Sequence, residues 1–191
     1  IGIKVVYASS ASIYGNTKIV PIKENFKKNP TNPYGQTKLD CENIAKTYSE
    51  QGLKNIGLRY FNVYGIGQTS SYAGVITKFV RQLKEQKPPI IFGKGSQIRD
   101  FIHVSDIAEA NISAMESNVE SDFFNIGSGK PTSILELARL MIKISKLDLE
   151  PIFKKPVTGD VELSIADIIH AKKIKWKPKI SLEEGLQEII K

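Results

Sequence analysis

The sequence predicts an α/β fold built on a parallel, doubly wound sheet, because segments typical of strands and of helices alternate along the chain. Residues 3–8 form a short run rich in β-branched side chains, followed by two serines. Such a run suits a buried parallel strand with polar groups at its carboxyl end. Residues 56–61, 90–93 and 123–126 are also predicted to be strands. Because ligands bind at the carboxyl ends of the strands in doubly wound folds, we expect polar site residues there.

Helices are predicted from apolar side chains at helical spacing and from helix start signals. One helix is expected over residues 34–50, a second ends before the two prolines at 88–89, and two more begin at capping boxes that start at Ser133 and Ser181. The apolar stripes expected in the core are Val75, Ile76, Phe79, Val80 and Leu83; Leu137, Leu140, Met141 and Ile144; and Leu182, Leu186, Ile189 and Ile190.

The composition is that of an ordinary globular protein, with 41% hydrophobic and 25% charged residues in 191. This length admits one domain, or a domain with a smaller lobe. No stretch approaches the ~18 apolar residues of a membrane span, so no membrane partner is expected. The lone Cys41 cannot form an internal disulfide, which is typical of a reducing cytoplasm. We therefore expect a cytoplasmic protein in which Cys41 is a helix residue rather than a nucleophile.

The formal net charge of +7 raises the question of a nucleic-acid partner. Most basic residues are lysine, only four are arginine, and the densest basic run, residues 172–179, matches no nucleic-acid-binding motif. A basic face in contact with solvent explains the charge better, so no nucleic-acid partner is expected.

Tyr34 and Lys38 are the first candidate catalytic pair. Positions i and i+4 share one face of a helix, so the lysine ammonium can lie close to the phenol. A neighbouring cation favours the phenolate, which can act as a general base on an alcohol. The serines of the upstream segment 9–12 could share that proton. The alternative is a chance pair on a surface helix.

Residues 126–131 superficially suggest a phosphate-binding loop. Phe124 stands where that motif requires its first glycine, and Pro131 where it requires serine or threonine. We therefore interpret the segment as a turn after a strand. His103 and His170 have no partner pattern and are interpreted as structural, and no metal site is expected.

Four motifs carry a family resemblance: VYASSASIYG at 6–15, NPYGQTK at 32–38, RYFNVYG at 59–65 and RDFIHVSD at 99–106. Together, and in this order, they resemble the extended short-chain dehydrogenase/reductase family of nucleotide-sugar epimerases and dehydratases. The motifs span much of the chain, and four spaced matches are far more specific than any one. The resemblance implies NAD as cofactor and a UDP-sugar as substrate.

The resemblance also implies a domain organisation. The chain would be the C-terminal part of a doubly wound, Rossmann-like sheet plus a smaller α/β substrate-binding lobe. Residues 1–65 would form the second half of the NAD-binding domain, and residues 66–191 mainly the substrate lobe, with about 100–145 returning to the Rossmann sheet. The chain starts with isoleucine and contains no G-x-G-x-x-G motif, which binds the pyrophosphate of NAD. We therefore expect a piece of a longer protein that is inactive alone.

By resemblance, two positions after Ser10 indicate the reaction. The 4,6-dehydratases carry acidic residues at both, and the decarboxylases carry a glutamate at the second, whereas this chain has Ala11 and Ser12. These differences favour a 4-epimerase acting on UDP-hexoses, with UDP-N-acetylhexosamines as further expected substrates. A dehydratase, decarboxylase or reductase of the same family and a non-catalytic nucleotide-sugar-binding protein remain alternatives.

The resemblance assigns Ser10, Tyr34 and Lys38 to catalysis. Tyr34 would take the proton of the sugar C4 hydroxyl, Lys38 would favour this ionisation and hold the nicotinamide ribose, and Ser10 would bind the same oxygen. Ser9 and Phe61, together with Tyr34 and Lys38, are expected to contact NAD. The helix that carries Tyr34 and Lys38 is expected to form a homodimer interface.

The residues expected to contact the substrate are Ser10, Ser12, Asn62, Val75, Ile90, Phe92, Arg99, Asp160 and Ser164. By resemblance, Asn62 and Arg99 meet the diphosphate, and Ser164 lies beside the sugar C2 substituent. The segment 90–92 would receive the base, and the helix that starts at Val75 would close over it. The structural alternatives are a loop-turn role for Asn62, a salt bridge from Arg99 to Asp100, and a solvent-facing Ser164.

Val157 is a departure from the family pattern. It stands where many epimerases have a second phosphate-binding arginine. Lys154 or Lys155 could substitute for that arginine, or diphosphate binding would be weaker.

Overall fold

The computed structural model describes residues 3–68, 74–157, 159 and 161–191. Within them, the helices are α1 (Pro33–Glu50), α2 (Val75–Lys84), α3 (Val104–Glu116), α4 (Ile134–Ser145) and α5 (Leu182–Ile190). The strands are β1 (Lys4–Ser10), β2 (Lys54–Tyr60), β3 (Asn62–Tyr64), β4 (Ile90–Phe92), β5 (Ile98–Arg99), β6 (Phe101–His103), β7 (Asp122–Ile126), β8 (Thr132–Ser133), β9 (Ile152–Lys154) and β10 (Leu163–Ser164). Short 3₁₀ helices cover Ala11–Tyr14 and His170–Ile174.

The central sheet is parallel, with the strand order β1-β2-β7, as the sequence predicts. Ser10 pairs with Tyr60, and Tyr60 with Ile126, so the carboxyl ends of the three strands lie at one edge. The expectation of a buried first strand is not met by the described residues. There, β1 is an edge strand and most of its side chains are half-buried or exposed, because strand pairing covers only its β2 side.

Helices lie on both faces of this sheet. Consecutive side chains of a strand point to opposite faces. On β2, Arg59 binds Glu42 of α1, whereas the Tyr60 hydroxyl bonds with Asn111 of α3. The sheet is therefore covered from both sides, which confirms the doubly wound α/β class.

A second core lies among α2, α4 and α5, and it contains Ile76, Phe79, Leu83, Leu137, Met141 and Leu186. The predicted stripes of these helices supply most of it. Of the segment 100–145, α3 and β7 belong with the central sheet, while α4 packs in this second core. The division of the chain into two domains stays a prediction.

Both predicted capping boxes are present. Ser133 Oγ accepts from the Glu136 amide at 3.1 Å, and Glu136 Oε2 accepts from the Ser133 amide at 2.8 Å. Ser181 and Glu184 form the same reciprocal pair at the start of α5. These bonds satisfy amide groups that the first turn of a helix leaves without partners.

The lysine-rich run 172–179 has a structural explanation. Its lysines are exposed, whereas Ile174 and Trp176 between them are buried, and the indole Nε1 donates to the Asp106 carbonyl at 3.0 Å. The run therefore packs its apolar side chains inward and presents a basic face to solvent. None of the helices among the described residues is long and apolar enough to cross a membrane.

Candidate active site

The serine segment forms a tight turn at the carboxyl end of β1. Ser10 has an extended backbone and caps the 3₁₀ helix Ala11–Tyr14. Its Oγ accepts from the Ser12 amide at 3.2 Å and from the Ser12 hydroxyl at 2.9 Å. The structure therefore brings Ser10 and Ser12 together at the edge of the sheet where a ligand is expected.

The first turn of α1 lies directly against this serine turn. Asn32 caps the helix, with its Oδ1 accepting from the Gly35 amide at 2.8 Å. A Cβ on Gly35 would lie 2.7 Å from the Ser12 carbonyl oxygen and 3.0 Å from the Pro30 Cβ. Only glycine fits this approach without a backbone shift, and the sequence analysis did not identify that role.

Tyr34 and Lys38 adopt the predicted one-face arrangement. Lys38 Nζ lies 5.8 Å from the centroid of the Tyr34 ring. The same nitrogen donates to the Ala8 carbonyl of β1 at 2.9 Å, which holds the ammonium at the edge of the strand. Tyr34 is 56% exposed, so its hydroxyl is accessible. The catalytic roles of both residues stay predictions.

The two further residues expected to contact NAD are differently placed. The Ser9 hydroxyl is buried and donates to Glu42 Oε1 at 2.6 Å. Its side chain therefore points into the interior, and only its backbone is available to a cofactor. Phe61 is buried beyond the end of β2, where its amide bonds with the Ile126 carbonyl at 3.0 Å.

A small cavity of about 190 Å³ opens beside the serine turn. Its lining includes Ser10, Ser12, Phe61, Asn62, Arg99 and Ser164. These residues come from segments far apart in sequence, and β10 pairs Ser164 in register with Arg99 of β5. The structure thus brings together most of the residues predicted for the sugar and diphosphate, and it places Ser164 at a cavity rather than on an open surface.

A second cavity of about 410 Å³ shares Asn62 and Arg99 with the first. Its other walls include Val75 of α2 together with Ile90 and Phe92 of β4, the residues expected to surround the base. Asn62 and Arg99 therefore lie where the two cavities meet. A larger groove of about 690 Å³, between α2, α4 and α5, contains none of the predicted site residues.

The residues at 154–157 that bear on diphosphate binding do not all line the same cavity. Val157 lines the second cavity, whereas Lys154 lines a neighbouring groove with Val157, and Lys155 lines neither. That one of these lysines takes the place of the second phosphate-binding arginine thus stays a prediction. Asp160 lies outside the described residues.

The Asp100 carboxylate is fully buried and bound by the turn that superficially suggests a phosphate loop. Oδ1 accepts from the Ser128 amide and hydroxyl, both at 2.6 Å. Oδ2 accepts from the amides of Gly129 at 2.9 Å and Ala166 at 3.1 Å. Burial raises the pKa of Asp100, while these hydrogen bonds oppose the shift. The turn interpretation is confirmed, and the carboxylate is satisfied without an ion pair to its neighbour in sequence.

Asp100 also organises the site, which the sequence analysis missed. Its carbonyl oxygen accepts from the Asn62 amide at 3.0 Å and from Asn62 Nδ2 at 2.9 Å. Its carboxylate holds Ala166, two residues beyond Ser164. The available signal was an acidic residue directly before the apolar pair Phe101 and Ile102.

The two histidines contact the protein interior. His103 is 2% exposed, and its Nδ1 accepts from the Ser105 amide at 3.3 Å. His170 Nε2 lies 2.9 Å from Asp122 Oδ2, and its ring packs on Phe124. In the part of the chain that the structure describes, no cluster of three or more metal-binding side chains occurs.

Comparison with known proteins places this geometry in a family. Residues 1–127 match the NAD dependent epimerase/dehydratase family. A protein named putative UDP-glucose 4-epimerase, from Methanocaldococcus jannaschii, is 40% identical over 190 residues, which cover 98% of this chain and 62% of that protein.

Solved structures agree with that match. The UDP-N-acetylglucosamine 4-epimerase of Methanobrevibacter ruminantium, in complex with UDP-N-acetylmuramic acid, is 37% identical with a TM-score of 0.94; the match covers 98% of this chain and 61% of that one. The UDP-glucose 4-epimerase of Thermotoga maritima, with UDP-glucose, is 38% identical with a TM-score of 0.93, and the coverage is 98% and 62%. The chain thus spans about three fifths of the length of these relatives, and it belongs to the NAD-dependent epimerase/dehydratase family.

Proposed function

We propose that the complete protein is an NAD-dependent UDP-sugar 4-epimerase in which Tyr34, Lys38 and Ser10 act at the sugar C4. One observation carries this proposal: the Tyr34–Lys38 pair and the Ser10–Ser12 turn meet at the carboxyl end of the same strand. Lys38 bonds to β1 itself, and Gly35 lets α1 approach the serine turn. Ligands of doubly wound folds bind at this edge.

The residues present fit the ribose end of NAD, the cofactor of the family. An ammonium has three donors, and among the described residues only the Ala8 carbonyl takes one from Lys38. Lys38 can therefore hold ribose hydroxyls while staying on β1. When bound, NAD would take the hydride of C4 and return it to the opposite face of the sugar.

The protein side of the reaction is proton transfer. Tyr34, acting as the general base, receives the proton of the C4 hydroxyl as the carbonyl forms, and it returns that proton when the hydroxyl re-forms. The Ser10 hydroxyl accepts from Ser12, so its own hydrogen can be donated to the C4 oxygen. Ala11 and Ser12 supply no carboxyl group for loss of water from C5 and C6, which distinguishes this site from that of a dehydratase.

The two cavities suit the two ends of a UDP-sugar. We place the sugar in the small cavity by Ser10, Ser12 and Ser164, and the base in the second cavity against Val75, Ile90 and Phe92. The diphosphate would lie between them. There the guanidinium of Arg99, whose Nη1 also donates to the Ile98 carbonyl at 3.0 Å, is a group suited to phosphate, and Asn62 Nδ2 keeps one hydrogen beyond its bond to Asp100. Asp160 is proposed as a further substrate contact.

We also propose that α1 forms a homodimer interface. Ile44 and Tyr48, one turn apart on this helix, are 58% and 52% exposed. Exposed apolar groups grouped on one surface are typical of protein interfaces. A cytoplasmic location is proposed as well, supported by the exposed free thiol of Cys41. We also propose that the protein has no nucleic-acid partner, because its densest basic run, residues 172–179, matches no nucleic-acid-binding motif.

The test is conversion of UDP-glucose to UDP-galactose by the complete protein, with no accumulation of NADH. Tyr34→Phe should lower the rate by ~10²–10⁴ because it removes the general base with little change in volume. Tyr48→Phe, equally exposed on the same helix, is the matched control and should retain activity. Circular dichroism should show both variants folded.

Other outcomes would contradict the proposal. Stoichiometric NADH would indicate a dehydrogenase or reductase, loss of water or CO₂ a dehydratase or decarboxylase, and binding without turnover a non-catalytic protein. Near wild-type epimerisation by Tyr34→Phe would remove Tyr34 from the mechanism.

A further inference from the structure

A buried ion pair lies under α1, between Glu42 of this helix and Arg59 of β2. Arg59 Nε lies 2.8 Å from Glu42 Oε1, and Nη2 lies 2.8 Å from Oε2. The two side chains are 1% and 3% exposed. Two charges away from water are tolerated only with good geometry and full hydrogen bonding, so the arrangement tightly constrains both elements.

The remaining polar atoms of the pair also have partners. Arg59 Nη1 donates to the Tyr14 hydroxyl and to the Glu24 carbonyl, both at 2.8 Å. Glu42 Oε1 accepts a second bond, from the Ser9 hydroxyl, at 2.6 Å. Each side-chain nitrogen of Arg59 and each carboxylate oxygen of Glu42 thus has at least one hydrogen bond, and a buried network of this kind favours one relative position of the elements it joins.

The same carboxylate is linked to both halves of the proposed acid–base site. Glu42 follows Lys38 by one helical turn in α1, and Tyr34 lies one turn before Lys38. Ser9, which donates to Glu42, directly precedes Ser10 in β1. Glu42 therefore joins the helix that carries the proposed general base, Tyr34, to the strand that carries Ser10. It does so from the buried side of both elements.

We propose that Glu42 is a positioning residue, which rests on the proposed epimerase function. Its carboxylate, held by Arg59 and Ser9, sets the rotation and height of α1 over β1 and so places Tyr34 and Lys38 against Ser10. The cavity assigned to the nucleotide base is lined by other elements, α2 and β4. Loss of the Glu42 contacts should therefore disturb the chemical step more than substrate binding.

The test compares Glu42→Gln and Ser9→Ala in the complete protein. Ser9→Ala removes the strand-side bond and leaves the ion pair, so it serves even where Glu42→Gln fails to fold. A displacement on the order of 1 Å at a reacting group can cost about 10²-fold in rate, so we expect kcat to fall by roughly 10–100-fold with little change in KM for UDP-glucose. Hydrogen exchange of the α1 amides should accelerate in both variants.

Asn111→Ala is the matched control, because it removes half-buried hydrogen bonds to Tyr60 and Ile107 on the opposite face of the sheet. It should leave kcat and α1 exchange unchanged. Wild-type kcat and α1 exchange in a folded Ser9→Ala or Glu42→Gln would overturn the proposal, as would an equal loss of kcat in Asn111→Ala. Failure of the epimerase proposal would be seen separately, because the wild-type protein would then not epimerise the substrate. Hydrogen exchange of the α1 amides would still test the role of Glu42.

Discussion

The Asp100 carboxylate is bound by the backbone amide of Gly129, with 2.9 Å between Oδ2 and the nitrogen. Gly127 makes room for this contact, because a Cβ there would lie 2.6 Å from the same Oδ2. A glycine turn that superficially suggests a phosphate-binding loop thus holds an internal anion. Asp100 thus connects Asn62, which its carbonyl oxygen binds, with the segment that follows Ser164, which its carboxylate binds at Ala166.

Asp100→Asn should lower the free energy of unfolding, because the amide nitrogen cannot accept hydrogen bonds from the surrounding donors. A buried donor left without a partner costs about 1–3 kcal/mol. Urea unfolding measures the loss. Asp167→Asn is the control, since Asp167 is only half-buried and accepts from the single amide of Ile169. A stability loss no larger than that of the control would contradict the assigned role of Asp100.

Ser164→Tyr should narrow the range of substrates of the complete protein. Ser164 lines the small cavity, so a phenol there should exclude an N-acetyl group at C2 more than a hydroxyl. The change in kcat/KM for UDP-GlcNAc against UDP-Glc measures this difference in transition-state binding. Ser164→Ala, which keeps the space, should retain both substrates. Equal loss on both substrates in Ser164→Tyr, or no loss on either, would remove Ser164 from the site.

The 191-residue chain alone should not bind NAD tightly. Its sequence holds the Tyr34–Lys38 pair but no G-x-G-x-x-G turn, which in this fold class approaches the pyrophosphate. Calorimetric titration of the chain with NAD checks this prediction, with the complete protein as the positive control. Submicromolar affinity of the chain for NAD would contradict the prediction.

The capping box of α4 should make a pH-dependent contribution to stability. Hydrogen bonds from the Ser133 backbone and side chain lower the pKa of Glu136 below its ordinary value of 4.5. Because the folded pKa is the lower one, this stabilisation is present above about pH 4.5 and is lost as the pH falls through the folded pKa. Glu136→Gln should therefore reduce the free energy of unfolding at pH 7 more than in acid.

Two serine variants complete that experiment. Ser133→Ala should cost about 1 kcal/mol at neutral pH, a typical value for loss of an N-cap. Ser145→Ala, at the other end of α4, removes a bond to the Ile142 carbonyl that involves no titrating group. Its effect should be the same at both pH values. A Glu136→Gln effect that is equally independent of pH would refute the assignment.

Ile44→Lys should weaken the proposed homodimer, because it places a charge in the exposed apolar pair formed with Tyr48. Sedimentation of the complete protein should show a shift toward monomer. Asn118→Lys adds the same charge at an exposed position in the loop after α3, outside α1, and should leave the assembly intact. A dimer unaffected by Ile44→Lys would move the interface elsewhere.

The sequence alone was sufficient for the features that local chemistry determines. The strands β1, β2, β4 and β7 and the apolar stripe of α2 follow from apolar periodicity, and the starts of α4 and α5 follow from reciprocal Ser–Glu caps. The Tyr34–Lys38 arrangement follows from helical geometry, which places residues one turn apart on one face. Motif resemblance identified the family and the residues Asn62, Val75, Arg99 and Ser164, which line the cavities.

Tertiary structure decided what depends on contacts between distant segments. Gly35 matters because of the Ser12 carbonyl, Asp100 because of amides at 128, 129 and 166, and Glu42 because of Arg59 and Ser9. The inward direction of the Ser9 hydroxyl and the position of α4 in the second core were likewise not predictable from local patterns. A carboxylate or a glycine looks the same in sequence whether it meets solvent or a buried partner, and only the packing of remote elements specifies that partner and its geometry.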